Sequence, residues 1–250
     1  MRLKLICCEV FYREMCETIA RSPHQVDVEF LPKGLHDIGC VGMQARLQEV
    51  IGRVDEASYD QILLGYGLCN NGIVGLTARS IPIVVPRAHD CMAVFFGSRK
   101  KYEAYFEQYP GTYFLTTGWI ERGTAEGELS QLSISHAHGM DLTYEQMAEM
   151  YGEENAKYLF DTLGDQTKHY HRLTFLRMGI EPNESFEQRA RDRAAEKNLE
   201  FHVEEGNMRL IHTLVNGPWN NEDDFLLVPP GYKIAVRYDA NVIGVEKAAE

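Results

Sequence analysis

The stretch "YDQILLGYGLCNNG" (residues 59–72) decides how the chain is read. Its apolar run Ile62–Leu64 is continuous and stops at Gly65 and Gly67, with Cys69 and two asparagines immediately after. A short run without polar alternation, closed by a glycine turn, is the pattern of a strand covered on both faces, as in a parallel sheet. "IPIVVPR" (81–87) repeats the pattern and leads into "AHDC" (88–91). Two buried strands therefore each deliver a cysteine-bearing loop.

Working outward, "RLKLICC" (2–8) and "VDVEFLP" (26–32) read as further strands, and "TYFLTTGW" (112–119) as a fifth. Helical spacing of apolar residues marks 10–22, 43–54 and one or two pieces within 92–109, and the glycine-containing 71–80 is expected to form a short helix. Strand and helix alternate, which predicts an α/β fold with a doubly wound, mostly parallel sheet. Beyond Trp119, residues 121–143 are polar and hard to place, so they read as an excursion or lid. Helices are expected over 144–163, 185–198 and 207–217, and strands over 170–179, 199–206 and 224–232. These form a second α/β lobe or an extension of the first sheet. The resulting division is 1–120, 121–143 and 144–250.

Composition restricts the function. The chain has 250 residues, 44% hydrophobic and 25% charged, enough for one large core or two modest ones. A net charge of −12 speaks against a nucleic-acid partner, because affinity for phosphate backbones comes from lysine and arginine. No run approaches the roughly 18 apolar residues of a membrane span, so no membrane partner and a cytoplasmic location are expected. The six cysteines all lie within the first 91 residues. In a cytosolic chain such crowding suggests metal binding or catalysis rather than a disulfide framework.

Ligands of open parallel sheets bind outside the carboxyl ends of the strands, where the exit loops gather. Those exits carry Cys8, then His36 and Cys40, then Cys69 with Asn70 and Asn71, then Arg87, His89, Asp90 and Cys91, with Trp119 after the fifth strand. Thiolates and imidazoles are the donors zinc takes in tetrahedral sites, and a catalytic site leaves one position open. The expected metal ligands are Cys8, Cys69 and Cys91 with His89, and His36 in reserve; zinc is favoured over iron. His89 and Arg87 are candidates for acid/base work and for neutralising an anionic substrate. Gly65, Gly67, Asn70, Asn71 and Trp119 are candidates for holding a cofactor or small-molecule substrate. Cys7 and Cys16 sit in apolar periodic contexts and read as core. The glycine loop matches neither the dinucleotide fingerprint nor the phosphate loop with its lysine.

"GYGLCNNGIVGL" (65–76), "PRAHDCMAVFFGSRKKYEAYF" (86–106) and "PGTYFLTTGWIE" (110–121) together resemble the signature of an uncharacterised bacterial and archaeal family, a domain of unknown function often associated with corrinoid-dependent methyl-transfer systems. The resemblance spans Leu3 to Glu121 and returns at "FLLVPPG" (225–231). It implies a one-carbon setting, a corrinoid as a possible cofactor, and a corrinoid protein or methyltransferase as a possible partner. It brings no established catalytic residue. The expectation is a metal-binding protein and a candidate metal-dependent methyl-transfer enzyme; the alternative is a non-catalytic corrinoid- or cofactor-binding accessory module.

Overall fold

The computed structural model describes residues 1–122, 128–137, 143–153, 155–158 and 169–248. Strands β1 (Arg2–Cys8), β2 (Gln25–Leu31), β3 (Gln61–Gly65) and β4 (Ile83–Pro86) form a parallel sheet in the order β2-β1-β3-β4. Helix α1 (Tyr12–Ala20) links β1 to β2, and α2 (Gly39–Arg53) links β2 to β3. The strand order reverses direction between these two links. With right-handed crossovers, that reversal puts α1 and α2 on opposite faces of the sheet. The fold is thus α/β with a doubly wound, mostly parallel central sheet. All four residues of β4 and Ile62 to Gly65 of β3 are buried, which explains why these strands are apolar without alternation.

After β4 the chain forms α3 (Cys91–Phe95) and α4 (Arg99–Gln108) and enters a second layer. There β5 (Thr112–Leu115), β6 (Arg172–Arg177) and β7 (Glu200–Glu205) make a separate parallel sheet in the order β5-β6-β7. Its core is Leu115, Leu173 and Phe175 against Phe186, Ala190 and Ala194 of the helix Ser185–Glu196, α9. The fifth strand therefore does not join the first sheet. The place beside β4 is taken by β8 (Phe225–Val228), which runs antiparallel to it.

The chain re-enters the first sheet through α10 (Arg209–Asn216), whose Leu210, Ile211, Leu214 and Val215 are buried in the main core. A hairpin, β9 (Tyr232–Val236) with β10 (Ile243–Lys247), follows β8. The pairing redraws the 1–120, 121–143 and 144–250 division. Residues 112–115 belong with β6 and β7, and the segment from α10 onward belongs with β1–β4. The C-terminal half holds both a second sheet and an extension of the first.

The expected helix over 71–80 is replaced by turns at 70–75, and Thr77 pairs with Lys233 in an isolated antiparallel bridge. Gly75 shows why: its φ is +86°, outside the helical region. Of the polar stretch 121–143, residues 123–127 and 138–142 lie outside the described residues. Its middle forms two single turns, α6 (Glu128–Gln131) and α7 (Ile134–Ala137), seated beside 33–39 through Ile134 N–H to the Asp37 carbonyl at 2.8 Å and on α2 through an Arg46–Glu128 ion pair at 2.9 Å. The next helix, α8 (Tyr144–Tyr151), opens on a Thr143–Gln146 capping box and stops at Gly152, with φ +78°. The expected helix runs on to 163, and its last residues, 159–163, lie outside the described residues. Among the described residues no helix is long and apolar enough to cross a membrane.

Arg87 holds the hairpin to the sheet. Its Nε donates to the Phe225 carbonyl at 3.3 Å, and Nη1 donates to the Asn241 carbonyl at 3.0 Å and to that of Ile243. Removing the guanidinium takes a charged donor from three carbonyls, of which that of Asn241 keeps the Ile243 N–H at 2.7 Å, and hydrogen bonds to a charged group are each worth about 1.5–3 kcal/mol. Arg87→Leu is expected to lower stability by about 3 kcal/mol in urea denaturation and to speed amide exchange in 232–247 first. A loss under about 0.5 kcal/mol, the range of ordinary surface substitutions, would return Arg87 to the candidates for ligand binding.

Candidate functional site

Cys8 is the last residue of β1, Cys69 lies four residues past β3, and Cys91 opens α3 five residues past β4. Because these three strands are parallel, all three thiols leave the same edge. Cys8 and Cys69 flank the point between β1 and β3 where the winding reverses, which is where open α/β sheets form their ligand crevice.

The two cysteine loops are zipped together by backbone hydrogen bonds, Leu68 N–H to the Ala88 carbonyl at 2.8 Å and Cys69 N–H to the His89 carbonyl at 2.9 Å. Gly67 makes that approach possible, since a Cβ there would sit 2.7 Å from the Asp90 carbonyl carbon. Cys69, Asn70 and Asn71 then run through three successive left-handed conformations, with φ of 45°, 55° and 65°. Each such non-glycine residue costs on the order of 1 kcal/mol or more, and strain of this kind persists where the surroundings enforce it. At the exposed Asn70, Val is expected to cost about 1–2 kcal/mol in urea denaturation while Gly stays within about 0.5 kcal/mol. Equal tolerance of both would remove the strain.

All three thiols are buried, with exposures of 1% for Cys8, 8% for Cys69 and 7% for Cys91. Burial pushes Cys8 up to about 12, and raises Cys69 and Cys91 as well. After burial, the largest influence on Cys69 is Cys8, and on Cys91 it is Cys69, followed by Asp90 and Cys8, which places the three thiols near one another. Tyr66 is buried beside them, its hydroxyl without a hydrogen-bond partner, and feels Cys8, Cys7 and Cys69.

A charged rim lies next to the thiols. The Glu9 carboxylate accepts from Lys33 N–H at 2.8 Å and from Arg122 Nη1 at 3.2 Å, while Lys33 Nζ pairs with Asp37 at 2.9 Å and stands 5.3 Å over the Trp119 ring. The helix Thr117–Arg122, α5, reaches this edge because Gly118 packs onto the Val10 carbonyl with no room for a Cβ. The Trp119 indole Nε1–H lacks a partner in hydrogen-bonding geometry, yet its approach opposes in small part the burial that raises the Cys91 thiol. The Thr117 hydroxyl is likewise buried without a partner. With Arg122 Nε and the Tyr66 hydroxyl, four buried polar atoms on Tyr66 and α5 are unpartnered, which is uncommon unless something else satisfies them.

The candidate residues divide. Cys8, Cys69 and Cys91 come together, with Trp119 beside Cys91 and Gly65 and Gly67 shaping the floor. His36 is close, its ring 6.0 Å from that of Tyr66, and burial holds its imidazole down at about 4, hence neutral at pH 7. His89 is exposed, its Nε2 3.9 Å from Glu103, and its ring is not among the groups that influence the thiols. Arg87 spends its donors on the hairpin. Asn70 and Asn71 are exposed and act through their backbone. Cys40 is exposed, and Cys7 is fully buried in the core. Lys33 and Asp37 escaped the sequence reading, although their four-residue spacing in "KGLHD" is that of a local ion pair. Among the described residues, no group of three or more His, Cys, Asp or Glu side chains stands ready to hold a metal ion.

Beside Cys91, a cleft of ≈ 730 Å³ opens between the α3–α4 segment and the second sheet, lined by Tyr102, Phe106, Tyr113, Trp119 and Tyr170 among others. A second cleft, of ≈ 610 Å³, lies on the second lobe at Arg177, Glu181, Glu187 and Arg191, distant in sequence and sheet from the thiols. Its Arg177 and Arg191 are already paired with Glu187.

No curated protein and no solved structure matches the chain. Residues 30–215 match the family model described as protein of unknown function (DUF1638). That span covers the Cys69 and Cys91 loops, α5 and the whole second sheet but not Cys8, and the chain belongs to this family.

Proposed function

We propose that the chain binds a small substrate at the switch-point edge of its central sheet, through a thiophilic metal ion taken up by Cys8, Cys69 and Cys91, zinc rather than iron. The observation that carries this reading is the convergence of three buried thiols from three parallel strands. Three sulfurs are the donor chemistry zinc prefers, with a fourth position left for a substrate, a water or the neutral His36. Since no ion-holding arrangement stands ready, uptake includes a movement of the thiols toward one another. Free thiols held far above neutral pH are poor nucleophiles, which favours coordination over unassisted thiol chemistry. A bound ion would supply Lewis acidity and keep a thiolate deprotonated at neutral pH.

The place of this site in corrinoid-linked methyl metabolism is proposed from the motif resemblance alone. The aromatic cleft supports a second reading, a cofactor-binding accessory module without turnover. Metal analysis of tag-free protein, before and after anaerobic reconstitution with zinc, tests the first reading. About one equivalent per chain is the expected result. Less than about a tenth of an equivalent of any transition metal after reconstitution would overturn it, since a site of three thiolates binds zinc far too tightly to be missed.

A further inference from the structure

The cleft beside Cys91 has a chemistry of its own. Tyr102 and Phe106 ring centroids lie 6.1 Å apart on one wall, and Tyr113 and Tyr170 lie 5.4 Å apart on the other. Asp90 is part of the lining, its carboxylate held by Tyr102 Oη–H at 2.8 Å and by Ala93 N–H at 3.1 Å. Among the described lining residues there is no lysine or arginine. Lys33 stands over Trp119 and Arg193 over Tyr113 at 5.3 and 5.6 Å, but neither lines the cleft. A lining of aromatic side chains with one fixed carboxylate, with His169 as its basic group and no lysine or arginine among the described residues, disfavours phosphate or carboxylate ligands, because no permanent cation there neutralises them. It suits a cation with apolar substituents, which ring quadrupoles attract more strongly once water is excluded. The chain's charge of −12 adds a long-range attraction of the same sign.

We propose that this cleft binds an organic cation of the alkylated-ammonium class, carried on a body that fills part of the ≈ 730 Å³. The inference rests on the reading of this edge as a substrate site and names the substrate class, but it needs no metal.

Titration calorimetry with choline and with its neutral carbon isostere, in which a tert-butyl group replaces the trimethylammonium, isolates the charge. Choline is expected to bind at least about tenfold more tightly, given about 2- to 30-fold per ring contact. Asp90→Asn keeps a helix-capping side chain and is expected to weaken choline by at least about fivefold while leaving the isostere unchanged. Tyr113→Leu is expected to do the same, with thermal melts confirming that both variants fold. Equal affinity for the two probes, or no choline binding at tens of millimolar, overturns the proposal. Cys69 does not line the cleft, so Cys69→Ser is expected to keep choline binding. Metal loss with choline retained in that variant is the result both readings expect, whereas unsubstituted protein that takes up the metal and binds no choline defeats this one alone.

Discussion

Cys69→Ser and Cys91→Ser are each expected to lose most of the bound metal, with Cys16→Ser retaining it. A serine hydroxyl stays protonated at neutral pH and is a weak ligand for zinc, so removing one of three thiolates opens the site. Cys16 is the proper control. It sits half-buried on α1 beside Tyr12 and Arg122, outside the group formed by Cys8, Cys69 and Cys91. Cys8→Ser is expected to behave like the other two, with an added stability cost because Cys8 closes β1 in the core. The measurement is metal per chain by elemental analysis, alongside the urea midpoint. Midpoints that fall while stoichiometry holds would make the three thiols packing residues and remove the metal reading.

Glu14 is expected to make the protein less stable as pH rises from 5 to 8. It is fully buried on α1, and neither carboxylate oxygen has a hydrogen-bond partner. Burial, with smaller contributions from Glu181 and Glu121, raises it from the ordinary 4.5 to about 7, against an opposing pull from its own backbone and from Arg13. The folded state therefore holds a proton that the unfolded chain releases above about pH 4.5. Stability is fully present below that value and falls as pH climbs through about 7. A shift of this size corresponds to about 3 kcal/mol at pH 8. Glu14→Gln cannot ionise, so its stability should stay flat where the parent's falls, giving a variant about 1–2 kcal/mol more stable at pH 8 once the cost of an unpartnered amide is deducted. Urea denaturation of both proteins at pH 5 and pH 8 decides the matter. Parallel profiles would show that Glu14 finds a partner or water that the buried geometry does not provide.

Much of the first sheet was legible because its central strands β3 and β4 are buried on both faces. Ile62–Leu64 and Ile83–Val85 could be nothing but strands at that length and composition, and the loops after them had to share an edge once the strands were parallel. The placement of Cys8, Cys69 and Cys91 followed from that alone. The roles of His89 and Arg87 did not, since a residue in an exit loop can turn inward or outward with the same sequence. Arg87 turned toward three carbonyls contributed by residues 138, 154 and 156 positions later. Nothing local announces such partners.

Sequence by itself determined the α/β class, the strand exits and the thiols they carry, because hydrophobic period and glycine stops are local properties of the chain. Only the tertiary structure decided which sheet took β5, that β8 would close the first sheet antiparallel, and that aromatic side chains from 102 to 170 would face one another across a cleft. Those outcomes depend on competition between distant segments for the same edge. β5 and β8 are each four residues long. Which of them lies beside β4 is set by how well Phe225 and Val228, rather than Leu115, complete the main core, and a contact energy of that kind is not written in either segment alone.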